Sequence, residues 1–210
     1  MNLKNFKLLV FIFLLIHCLA VGATNNYLLI KLPHNVSVEL PRNWKAISNN
    51  NLITLDSSVQ ARMEGIGMFD AASDLNFGAN YYDENRKTAA IFNIRYYPNL
   101  DLTQTDASTA TATDIQELDN ALKSGLIQSS QVSGFSILKW FGTSKETING
   151  SVGFVTEYER SPLKNNGNFR VRLIRIFNGS NSFTITVSYR AEQEYLLRPI
   201  CNRIISSIKS

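Results

Sequence analysis

Phe183, Ile185, Val187 and Tyr189 alternate without a break with Thr184, Thr186, Ser188 and Arg190. Successive side chains of a strand point to opposite faces, so this run describes an antiparallel strand with one apolar face and one polar face. It is the last of four such runs, at 136–145, 152–160, 169–177 and 182–190. Between them lie Asn149-Gly150, Asn165-Asn166-Gly167 and Asn178-Gly179, residue types that turn a chain. A mostly antiparallel sheet therefore occupies the C-terminal part of the chain. Upstream, residues 75–82 and 88–97 flank the polar segment Asp83-Glu84-Asn85-Arg86-Lys87 and read as a further hairpin, with Phe92, Ile94 and Tyr96 sharing a face. Residues 36–40 alternate as a short strand before the turn Pro41-Arg42-Asn43-Trp44.

Helices are expected at three places. Asp56 can cap a short one holding Val59 and Met63 and ending at Gly65. Thr113 and Gln116 fit a capping box, with Ile115, Leu118, Leu122 and Leu126 at helical spacing and Gly125 helping to end the element. The small polar residues 103–113 read as the connector leading into it. At the C-terminus, Leu197, Ile200, Cys201, Ile204, Ile205 and Ile208 form one apolar stripe, and Pro199 suits the first turn of that helix. The fold class is α+β, a central mostly antiparallel sheet packed by helices and closing with a strand and an amphipathic helix.

The N-terminus carries an export signal. Lys4 and Lys7 precede nine apolar residues at 8–16, and Val21-Gly22-Ala23 supplies the small residues of a cleavage site between Ala23 and Thr24. A permanent anchor needs about 20 apolar residues, and His17 interrupts this run. A lipoprotein signal would use Cys18, but the residue before it is His17 rather than a small one. Removal of 1–23 leaves a single domain at 24–210, periplasmic or secreted, with no stable membrane anchor.

Cleavage also prunes the chemistry. One cysteine, Cys201, and one histidine, His34, remain, so an intramolecular disulfide and a multi-His/Cys zinc site are both excluded. Cys201 is expected to be a buried thiol and His34 an exposed residue near the mature N-terminus. The formal charge of +4 includes Lys4 and Lys7, so the mature chain carries only about +2, and the arginines at 170, 172, 175 and 190 do not amount to a nucleic-acid surface. No metal or cofactor is implied. Asp83 and Glu84 read as solvated turn residues rather than ligands. Asn35, Asn149 and Asn178 stand in glycosylation sequons, which matter only in a eukaryotic secretory pathway.

Glu157 and Glu159 share a strand face, as paired carboxylates of a glycosidase could. Pairing Glu159 with Arg170 and Glu157 with Arg172 keeps Tyr158 opposite Val171 and Thr156 opposite Leu173, whereas a slip of one residue moves a glutamate to the core side. In that register the four charges form a structural polar sheet face. The carboxylates stay ionised instead of one being raised into an acid.

Three segments also carry a resemblance: residues 44–57, residues 113–126, and above all Phe183-Thr-Ile-Thr-Val-Ser-Tyr-Arg190 followed by Tyr195-Leu-Leu-Arg-Pro-Ile200 and Ile204-Ile-Ser-Ser-Ile208. They resemble an exported bacterial family of no established activity, similar in pattern to the PsbP-like fold of the photosystem II extrinsic protein and the Ran-release factor of nuclear transport. The resemblance implies the same sheet-and-helix class and a module that acts by binding macromolecules. It carries no catalytic, metal-binding or GTPase-binding residue across. The leading functional expectation is a non-enzymatic envelope module with a protein partner. The alternative is a glycan-processing hydrolase using carboxylates alone, Glu157 and Glu159 or Asp70 and Asp74.

Overall fold

A computed structural model describes residues 26–47, 75–98, 102–162, 167–179 and 181–209. The expected signal, the helix capped by Asp56, and Asp70 and Asp74 lie outside the described residues. A two-stranded unit, β1 (Tyr27–Lys31) and β2 (Ser37–Pro41), stands beside a seven-stranded sheet. The sheet comprises β3 (Lys45–Ala46), β4 (Leu75–Tyr82), β5 (Thr88–Tyr97), β6 (Ile137–Ile148), β7 (Ser151–Arg160), β8 (Phe169–Asn178) and β9 (Asn181–Arg190). Its order is β3-β4-β5-β9-β8-β7-β6, with every neighbour antiparallel. Helices α1 (Gln104–Thr109) and α2 (Ala112–Ser133) cross from β5 to β6, and a 3-10 turn at Ala191–Gln193 leads from β9 into α3 (Glu194–Ser206).

Each face of the sheet has its own cover. On one face, Phe92 and Ile94 of β5, Ile185 and Val187 of β9, Ile174 of β8 and Val155 of β7 pack with Val38 of β2 and with Leu197, Cys201, Ile204 and Ile205 of α3. Backbone bonds between Ser37 and Lys209, and from the Glu39 N–H to the Ser207 hydroxyl, join β2 to the end of α3. On the other face, Leu126 of α2 packs with Tyr158, Phe169 and Val171, and the Trp140 indole donates to Asp119 of α2 at 3.0 Å. The Lys145 ammonium ties the α1–α2 junction to β6 by donating to the Ser108 and Ala110 carbonyls.

This double cover changes the reading of β9. Its polar face is not solvated: Ser182, Thr184, Ser188 and Arg190 are buried along with the apolar set, because β9 is third from neither edge but the middle strand of the order.

The helix ends also differ from expectation. Residues 103–113 are not a plain connector, because they contain α1, whose N-cap Thr103 forms a capping box with Asp106. The cap of α2 is Thr111, not Thr113, and its reciprocal partner is the Asp114 carboxylate rather than Gln116. A threonine two residues earlier with an acid at the third helical position satisfies the same free N–H groups with a charged acceptor. Gly125 sits inside α2, which runs on to Gly134 at φ 75°. Pro199 lies in the second turn of α3, since the helix begins at Glu194.

Both cap carboxylates are held below the ordinary value of 3.8, Asp106 chiefly by the Thr103 hydroxyl and Asp114 chiefly by the Thr111 backbone N–H. A carboxyl depressed in the fold stabilises it above the unfolded-state value, and that stability is lost as pH falls through the folded-state value. Replacing both acids with asparagine should therefore lower the urea midpoint near neutrality. The loss should shrink well below pH 3.8. A deficit that stays constant with pH would contradict this assignment.

Candidate functional site

Strands β7 and β8 pair Glu159 with Arg170 and Glu157 with Arg172 along the backbone. The side chains connect differently. Glu157 takes both arginines, Arg170 Nη2 at 2.6 Å and Arg172 Nε at 2.7 Å, while Arg198 of α3 stands 3.8 Å away. Glu159 accepts instead from the Asn168 amide at 3.2 Å. A diagonal reach is open to a long guanidinium, and it lets one carboxylate serve two cations. Nor is this face open to solvent. It lies under the polar flank of α3, where Arg172 also donates to Asn202 and Arg198 pairs with Glu194, and the Arg170, Arg172 and Glu157 side chains are only 12–17% exposed. Glu157 is a pin between sheet and helix, held by Arg170 and Arg172 and approached by Arg198.

The remaining sequence candidates scatter. By alternation along β8 and β9, Arg170 and Arg172 share the α3 side of the sheet whereas Arg175 and Arg190 lie on the opposite side, so the four arginines form no single patch. Asp83 is more than a solvated turn residue: it accepts from the Lys87 N–H at 2.8 Å and from the buried Arg190 at 2.7 Å, tying the β4–β5 turn to the end of β9. Those contacts, led by the Lys87 backbone bond, keep its carboxyl below the usual value. His34 is exposed and stacks on Tyr96, ring centroids 3.8 Å apart. Asn149 turns the chain between β6 and β7 at φ 52°, and its side-chain amide donates to the Ile205 and Ile208 carbonyls at the end of α3.

Cys201 is 1% exposed within the α3 stripe, and burial pushes its thiol up to about 12. A polar thiol reagent should leave the native protein unlabelled and react on unfolding in denaturant. Rapid native labelling would place the thiol at the surface.

Among the described residues, a surface feature with the character of a binding site lies elsewhere. A cleft of about 410 Å³ opens between the β4–β5 turn, the segment after β2 and the first half of α3. Trp44 and Tyr81, stacked with centroids 6.3 Å apart, line it together with Leu197 and Ile200. Its rim carries Asp83, Glu84 and Asn85 of the turn, Asn43, Gln193 at the end of the 3-10 turn, and Leu196 of α3. Leu196 is 54% exposed and its neighbour Tyr195 77%. The sequence held one signal for this place: Tyr195 and Leu196 are apolar residues off the buried stripe of α3, and a helix that only packs on a sheet does not need them there. Trp44 and Tyr81 gave none, being far apart in the chain.

Among the described residues no group of three or more His, Cys, Asp and Glu could hold a metal ion, and no helix is long and apolar enough to cross a membrane.

No family model matches the chain, and no curated protein matches it in sequence. Solved structures do match. The cyanobacterial PsbP protein CyanoP of Synechocystis sp. PCC 6803 superposes with a TM-score of 0.56 at 10% identity, over 90% of this chain and 95% of its own. The Saccharomyces cerevisiae Ran-binding protein Mog1p gives 0.47 at 9% identity, over 88% and 95%. LpqN of Mycobacterium tuberculosis, involved in cell envelope biogenesis, gives 0.45 at 11%, over 88% and 91%. The seven-stranded antiparallel sheet closed by β9 and α3 is thus a PsbP-like α+β fold.

Proposed function

We propose that this chain is exported, is cleaved after Ala23, and acts from Thr24 onward as a one-domain, non-enzymatic module of the cell envelope or extracellular space that binds a protein partner at the α3 cleft. The observation that carries the reading is the composition of that cleft: an aromatic and aliphatic floor with carboxylate and amide groups at its mouth, the pattern of sites that hold a ligand by burial and orient it by a few polar contacts. The engagement of Glu157 by two arginines supports it from the other side, since a largely buried carboxylate committed to two structural ion pairs is not presented to a substrate. The apolar run at 8–16 with Val21-Gly22-Ala23 supports export.

A photo-crosslinking amino acid at Leu196, expressed in the native host, tests the binding reading. Discrete adducts are expected from this position and not from Gln131, an exposed α2 residue on the opposite side of the sheet. Equal or absent crosslinking at both positions would contradict it. Mass spectrometry of the mature N-terminus tests export: a chain beginning at Thr24 is expected, and an acylated Cys18 would overturn the cleavage site.

A further inference from the structure

The polar rim of the cleft is one-sided. Its lining residues include two carboxylates, Asp83 and Glu84, and no cation. Asp83 is already committed to Arg190 and to the Lys87 N–H. Glu84 is exposed and has no ion-pair partner among the described residues. Arg86 and Lys87 of the same turn are not among its lining residues, so an occupant that fills the apolar floor meets one carboxylate outside any ion pair among the described residues, with the side-chain amides of Asn43, Asn85 and Gln193 lining the cleft beside it.

We propose that the cleft takes an exposed peptide segment in which an aliphatic residue stands next to lysine or arginine, the aliphatic side chain resting on Trp44, Tyr81 and Leu197 and the cation reaching Glu84. The amides of Asn43, Asn85 and Gln193 are suited to the peptide backbone, because each offers both a donor and an acceptor. Leu196, half out of the fold at the cleft edge, covers the aliphatic residue from the α3 side. This inference rests on the cleft being the binding site and adds the chemistry of what binds there. Exposed charge pairs contribute little to affinity and more to the choice of partner, so Glu84 is assigned a selecting role and the floor the holding role.

The test uses isotope-labelled mature protein and three synthetic probes: acetyl-Gly-Leu-Lys-Leu-Gly-amide, the same peptide with glutamate in place of lysine, and the neutral sugar chitotetraose. The lysine peptide should shift the Trp44 indole resonance and the backbone amides of Leu196, Leu197 and Ile200, and bind about five- to tenfold more tightly than the glutamate peptide. Its advantage should fall as salt is raised. Glu84→Lys should remove that preference and leave the folded spectrum intact. Equal binding of the two peptides at these resonances overturns the charge assignment while leaving the cleft as the binding site. Shifts from chitotetraose and from neither peptide overturn the peptide assignment in favour of a glycan. If no probe moves these resonances although Leu196 crosslinks a partner, the proposed peptide chemistry is wrong and the binding reading stands.

Discussion

Glu157→Ala should destabilise the domain by about 3 kcal/mol, although no catalytic step is assigned to the residue. Its carboxylate is the shared counter-ion of Arg170 and Arg172, whose side chains are 12% and 13% exposed. Removing it leaves two guanidinium groups side by side, largely out of water, with their nearest strong counter-charge gone. Arg172 keeps its bond to the neutral Asn202 amide and, as counter-charge, the longer 3.4 Å approach to Glu146. The cost of breaking a buried pair by one partner is about 3–5 kcal/mol, and the residual exposure here places the effect at the lower end. Glu159→Ala is the control, since among the described residues its carboxylate accepts only from Asn168 and its loss should cost less than about 0.5 kcal/mol. Adding Arg170→Met to Glu157→Ala should restore part of the loss, because the stranded charge leaves with it. Urea unfolding of the four proteins decides the matter. A Glu157→Ala variant as stable as the parent would show that the pin carries no weight.

Ile204→Ala should cost about 2–5 kcal/mol, a large fraction of the 5–15 kcal/mol by which domains of this size are stable. Ile204 is fully buried in the α3 stripe, with Cys201 and Leu197 on the same helix face and Val187, Ile185 and Ile94 of the sheet in the same core. Truncation removes the apolar area it buries and leaves a hole that a sheet–helix interface closes poorly. At roughly 2–4 °C per kcal/mol for a domain of this length, the melting temperature should fall by about 10 °C. Leu196→Ala, two turns earlier and half exposed, should change it little. Equal, small effects at both positions would mean that α3 is not anchored by its stripe.

What could be read in the chain follows from the range of the interactions involved. Strand identity and pairing along β7 and β8 are written in a two-residue period, and the backbone ladder joins Glu157 to Arg172 and Tyr158 to Val171. The stripe of α3 is equally local. Less legible was how far each side chain reaches: register places Arg170 opposite Glu159, yet its guanidinium crosses to Glu157, where Arg172 and Arg198 also converge. Burial of the polar face of β9 was hidden for a related reason. Its alternation describes a strand with one wet face, and only the position between β5 and β8 puts both faces under cover. The cleft was the least visible. Trp44, the Tyr81–Asp83 stretch and Leu197 come from three separate parts of the chain and meet only when β4 and α3 close on the same side of the sheet. A single-residue pattern cannot announce such a meeting.

The cleft also separates two roles of α3 that the sequence presents as one helix. Its buried stripe and its Arg198 and Asn202 flank fix it to the sheet, while Leu196 and Gln193 at its start face the opening. A change at the mouth should therefore alter binding without altering the fold. The most direct measurement is the capture of crosslinked partner by the Leu196→Asp variant, with the photo-crosslinker moved to Tyr195 and the melting temperature recorded on the same preparations. Loss of the adduct at an unchanged melting temperature is expected. Undiminished adduct formation from a folded Leu196→Asp protein would contradict it.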